Sequence, residues 1–114
     1  MLKIGILGCG RIGQVHARSL FMVDGARVAA VTDAFADAAN ALAAKTGASV
    51  MSAEEMIASP DIDAVVIGTP TDTHYDLIQA SAKAGKGIFC EKPVDMSADR
   101  IRECITTVEA AGVP

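Results

Sequence analysis

Five short apolar runs, each followed by a longer stretch of helical spacing, restrict this chain to very few architectures. The runs are Lys3 to Leu7, Arg27 to Thr32, Ser49 to Met51, Ala64 to Gly68 and Gly87 to Cys90. Strands alternating with helices form βαβ units, and βαβ units build a parallel sheet. The intervening stretches carry their own start and stop signals. Ile12, Val15, His16, Ser19 and Leu20 recur at helical spacing through about Met22, and Ala36 to Lys45 is an alanine-rich helix closed by Gly47. Ser52, with Glu55 three residues on, predicts a capping box for a short helix to about Ala58, which Pro60 stops. Thr73 to Ala84 is the next helix, ended by Gly85, and Ser97 caps a last one running to about Ala110. Ala64 to Gly68 shows no polar alternation, as expected of a strand covered on both faces. The expected fold is an α/β, doubly wound parallel sheet of about five strands with helices on both faces. A chain of 114 residues suffices for one compact domain, residues 1–114.

The strongest functional signal is "GCGRIG", Gly8 to Gly13. A lone Gly-x-Gly-x-x-Gly says little. This one follows a predicted strand, opens a predicted helix and has Asp33 twenty residues beyond Gly13, the context of a dinucleotide fingerprint. Gly8 permits the tight turn, Gly10 lets a pyrophosphate approach the backbone, and Gly13 lets helix pack on strand. Free N–H groups near Arg11 and Ile12, at the positive end of the helix dipole, hold the anion without a basic side chain. The Arg11 side chain itself fits a phosphate contact and a solvated surface charge equally well. Asp33, at the carboxyl end of the second strand, can accept from both adenosine ribose hydroxyls, and its charge repels a 2′-phosphate. Ala34 follows it, with no arginine or serine to receive such a phosphate, so NAD is expected rather than NADP. The plainer role for Asp33 is helix N-cap for Phe35 onwards.

Two further loops fall on the same carboxyl edge, where open α/β sheets bind their ligands. "GTPTDTH", Gly68 to His74, ends the fourth run and offers Thr69, Pro70 and His74. Without that location, Pro70 is only a turn former and His74 only a helix-start residue. "EKP", Glu91 to Pro93, ends the fifth run. A lysine beside a redox cofactor can donate a hydrogen bond to a substrate oxygen and stabilise a developing alkoxide. Spacing alone fits a structural Glu-Lys pair on a solvated turn equally well.

Composition excludes other partners. A net charge of -4 disfavours nucleic acid and anionic membrane surfaces, which leaves a small molecule. Cys9, Cys90 and Cys104 are odd in number, form no Cys-x-x-Cys pair and lack histidines at ligand spacing, so neither disulfides nor a metal site is expected. No apolar run approaches the ~20 residues of a membrane helix, and a soluble, cytoplasmic protein is expected.

Together, "GCGRIGQVHA", Asp33, "GTPTDTH" and "CEKPVD" resemble the glucose-fructose oxidoreductase, inositol 2-dehydrogenase and MocA (Gfo/Idh/MocA) family, over the whole chain and in the right order. The wording around Glu91-Lys92-Pro93 is most similar to the inositol 2-dehydrogenases within it. The resemblance implies a Rossmann-type NAD-binding domain, with Lys92 the catalytic lysine and Gly8, Gly10, Gly13, Asp33, Thr69, Pro70, His74 and Glu91 along the cofactor. It also implies a polyol or sugar substrate whose secondary alcohol is oxidised to a ketone. The family's second domain, an open antiparallel sheet carrying an aspartate and a histidine that work beside the lysine, has no counterpart in these 114 residues. The expectations that follow are inactivity alone, an uncovered edge at Ile88-Phe89-Cys90, and homo-oligomers formed through that edge or through a bared face near Pro70, Val94 and Met96. The alternative is a stand-alone NAD-binding module that senses cofactor without chemistry.

Overall fold

Alternate residues of the central strands point into two separate cores, one on each face of a single sheet. The computed structural model describes every residue from Met1 to Pro114. Its strands are β1 (Leu2–Leu7), β2 (Ala26–Thr32), β3 (Ser49–Val50), β4 (Ala64–Ile67) and β5 (Gly87–Cys90), all parallel, in the order β3-β2-β1-β4-β5. The helices are α1 (Arg11–Phe21), α2 (Ala36–Thr46), α3 (Ala53–Ala58), α4 (His74–Lys83) and α5 (Ala98–Ala111), with a 3₁₀ turn at Thr71–Thr73. Right-handed crossovers dictate which face each helix takes. Connections running outward from β1 put α1 and α2 on one face, where Ile4, Ile6, Val28, Val31 and Val66 meet Ala17 and Leu42. The return from β3 to β4 puts α3, α4 and α5 on the other, where Leu7, Val65 and Ile67 meet Met56, Ile78 and Cys104.

The helix signals are where the sequence places them. Ser52 and Glu55 form both halves of the capping box at α3, the Ser97 hydroxyl accepts from Arg100 N–H at α5, and Gly47 ends α2 in the left-handed region at φ 76°. At α2 the structure departs from the plainer reading of Asp33: the N-cap is Phe35, and it has no side-chain capping bond.

A lysine closes the opposite end of the sheet. Lys86 is buried, and its Nζ donates to the Ser59 carbonyl at 2.5 Å and the Ile62 carbonyl at 2.6 Å, tying the chain beyond α3 to the start of β5. Lys86→Met keeps the stem and strands both carbonyls, so it should lower unfolding free energy by about 2–3 kcal/mol, read from urea denaturation. An unchanged midpoint would assign those carbonyls to solvent.

The free edge of β5 is less bare than expected. Ile88 N–H donates to the Pro114 carbonyl at 2.9 Å, so Pro114 already covers part of it, while Phe89 remains 56% exposed. No helix is long and apolar enough to cross a membrane.

Candidate functional site

β1 and β4 are neighbours although α1 and α4 lead away from them in opposite directions, and the loops at their carboxyl ends part to leave a crevice. The glycine turn forms its floor. Gly8 has φ +99°, which admits glycine at little cost, and a Cβ there would lie 2.7 Å from the Gly68 carbonyl oxygen. Gly13 is the contact point of α1 with the turn: a Cβ on it would stand 1.9 Å from the Gly8 carbonyl oxygen. Gly10 differs, because a Cβ there would meet nothing within 4 Å. That open space faces a helix start with unspent donors. The first bond of α1 runs from Gln14 N–H to the Gly10 carbonyl at 3.0 Å, and the N–H groups of Gly10, Arg11, Ile12 and Gly13 have no acceptor in the domain. No acidic residue occupies the first turn. The set fits a pyrophosphate, which brings the acceptors and the negative charge these donors lack. Arg11 and Ile12 are exposed beside it.

Asp33 is fixed from two sides. Its Oδ2 accepts from Cys9 N–H at 2.6 Å and its Oδ1 from Phe35 N–H at 2.8 Å, which ties the glycine turn to the end of β2 and orients the carboxylate. Cys9 is buried in the middle of the turn, and its thiol donates to the Thr32 carbonyl at 3.2 Å. Burial first, and the Asp33 charge second, push that thiol up to about 11, so it stays protonated and inert at neutral pH. Beyond Asp33 opens a cleft of about 590 Å³ walled by Ala34, Val50, Met51, Thr69 and Leu77. Val50, Met51 and Leu77 were not singled out in the sequence; applying the strand-end rule to β3 as well would have found the first two.

The other side of the crevice is built by the ends of β4 and β5. Thr69 Oγ1 accepts from the Thr73 hydroxyl at 2.6 Å, and exposed Pro70 accepts at its carbonyl from Thr73 N–H at 2.9 Å, which closes the threonine loop on itself. His74 is 1% exposed, and its ring nitrogens face only backbone: Nε2 lies 2.8 Å from the Thr69 carbonyl, Nδ1 3.0 Å from that of Pro93 and 3.2 Å from that of Val94. Both polar atoms are thereby turned away from the crevice. Glu91 is likewise engaged, with Oε1 2.6 Å from Nε2 of His16 on α1, whose ring stands edge-on to Phe89 at 5.1 Å. Asp95 accepts from Ser97 N–H at 2.9 Å and Arg100 Nε at 3.0 Å, and those two partners, in that order, hold its carboxyl below the ordinary range. Lys92 stands apart. It is exposed, precedes a cis bond to Pro93, and enters none of the domain's ion pairs.

A glycine turn with free amides, an oriented carboxylate on the next strand and a strand-end crevice define a dinucleotide-binding domain of the Rossmann type. "Oxidoreductase family, NAD-binding Rossmann fold", the Gfo/Idh/MocA family, matches residues 2–114, and the chain belongs to it. An inositol 2-dehydrogenase of Rhizobium meliloti is 52% identical over 107 residues, 94% of this chain and 32% of its own length. A Bacillus subtilis scyllo-inositol 2-dehydrogenase (NAD(+)) is 37% identical, over 98% of this chain and 34% of its own. The crystal structure of a Sinorhizobium meliloti protein assigned as a myo-inositol dehydrogenase superposes with a TM-score of 0.97 at 50% identity, covering 99% of this chain and 34% of that one. The chain therefore spans about a third of the length of the relatives it matches.

Proposed function

We propose that this domain serves the oxidation of a secondary alcohol of an inositol or a related sugar to a ketone. The observation that carries the reading is the position of Lys92: an ammonium without an ion-pair partner, at the strand end one place beyond β4, on the carboxyl edge that also holds the glycine turn. NAD bound across that edge supplies the acceptor for the hydride. The N–H groups of Gly10 to Gly13 would hold its pyrophosphate, and Asp33 its adenosine ribose. Thr69, Pro70 and Glu91, on the β4 and β5 side, would form the wall for the nicotinamide half. There Lys92 donates a hydrogen bond to the substrate hydroxyl oxygen, orients its C–H and stabilises negative charge as it develops on that oxygen. Glu91 and His74 serve the same wall through partners within the protein rather than through ligand, Glu91 at the His16 ring and His74 at the loop carbonyls. The names of the two curated relatives support inositol as the substrate class.

Cofactor choice supplies the test. Asp33 sits where a 2′-phosphate would come, and like charges set face to face disfavour binding, so NADH should bind at least about tenfold more tightly than NADPH. Titration followed by nicotinamide fluorescence reads both affinities. Equal binding of the two would remove Asp33 from the ribose site.

A further inference from the structure

His74 has no surface to offer a ligand, yet it is the one side chain within hydrogen-bond distance of both loops on the β4–β5 side of the crevice, and because carbonyls only accept, holding both takes an N–H on each ring nitrogen. We propose that His74 is a positioning residue for the nicotinamide half of the cofactor: through the carbonyls of Thr69, Pro93 and Val94 it fastens the threonine loop and the lysine turn into a single wall. The inference rests on the placement of the nicotinamide over those loops given above.

The turn from Glu91 to Ser97 is held at its ends by other groups, His16 at Glu91 and Arg100 at Asp95. Between those points Pro93 and Val94 give their carbonyls to His74. The imidazole starts α4, a helix buried against the sheet through Ile78, Ser81 and Ala82, so it supplies a stationary reference for both loops. Without it, the peptide after Lys92 is secured only two or more residues away on either side of Pro93. The adenosine half depends on different groups. Gly10 to Gly13 and Asp33 have no hydrogen bond to His74, its three partners being carbonyls of the other side.

ADP-ribose and NADH share the adenosine and pyrophosphate and differ in the nicotinamide, so their affinities for this chain separate the two halves. The parent chain is expected to bind NADH more tightly than ADP-ribose. His74→Phe keeps a buried ring and removes the polar bonds; it should leave ADP-ribose affinity within about twofold while the advantage of NADH shrinks about tenfold. His74→Gln, which can still reach one loop, should recover part of that advantage, and it carries the same test if the Phe variant does not fold. Parallel loss of both ligands would mean that His74 only supports the fold, and an unchanged NADH advantage would remove it from the wall; either result overturns the inference. A parent chain that binds the two ligands equally would instead sink the nicotinamide placement, and the inference with it.

Discussion

Gly13→Val is expected to abolish NADH binding in a chain that still contains most of its helix. A Cβ at position 13 would sit 1.9 Å from the Gly8 carbonyl oxygen, and both contacting atoms belong to backbone, so no rotamer change relieves the clash. The first turn of α1 must move away from the end of β1. That displacement separates the N–H groups of Gly10 to Gly13 from the floor of the crevice, and the pyrophosphate loses its donors together. Overpacking of this kind also costs about 1–3 kcal/mol of stability. Circular dichroism establishes that the variant is folded, and NADH fluorescence at millimolar cofactor reads binding. Retained affinity in a folded variant would contradict the contact role given to Gly13.

Lys92→Met should have the second large effect, measured as turnover of an inositol in the complete enzyme carrying this domain. The substitution keeps much of the apolar stem and removes the donor. Loss of one preorganised donor at a developing oxyanion costs ~3–4 kcal/mol of transition-state stabilisation, a rate factor of roughly hundreds. NADH affinity should change by no more than about twofold, because the pyrophosphate and adenosine contacts lie on β1 and β2. Turnover within about twofold of the parent would take Lys92 out of the chemistry.

The elements were legible in the sequence because each is specified locally. Ser52 and Glu55 lie within one helical turn of each other, and the run Ala64 to Ile67 announces its double burial by composition alone. The glycine turn was legible for the same reason, since Gly13 packs on the Gly8 carbonyl only five residues back. What escaped the sequence is pairing between distant segments. His16 reads as one more residue on a helical stripe, and only the crossover that brings α1 beside β5 gives it Glu91, 75 positions away. Location at a strand end marks His74 and Glu91, but it does not reveal which way a side chain turns, and both are engaged by other groups of the protein. Lys86 gave no signal, because its acceptors are backbone carbonyls, which no residue letter encodes. Asp33 combines both kinds: its position follows from the fingerprint, whereas its bond to Cys9 N–H requires the β1–β2 register.

The strand order also distributes protection unevenly across the crevice. β1 lies between β2 and β4 and has both rows of its amides bonded, so the glycine turn grows from a strand that can exchange its protons only when the sheet as a whole opens. β5 has one full neighbour, and on its outer side Ile88 N–H donates to the Pro114 carbonyl. Fraying of that edge loosens the lysine turn without disturbing the glycine turn. On the placement proposed above, a dinucleotide held across this crevice would be anchored at one end by the slowest-opening part of the domain and released first at the other, so its ring could exchange surroundings while the nucleotide stayed bound.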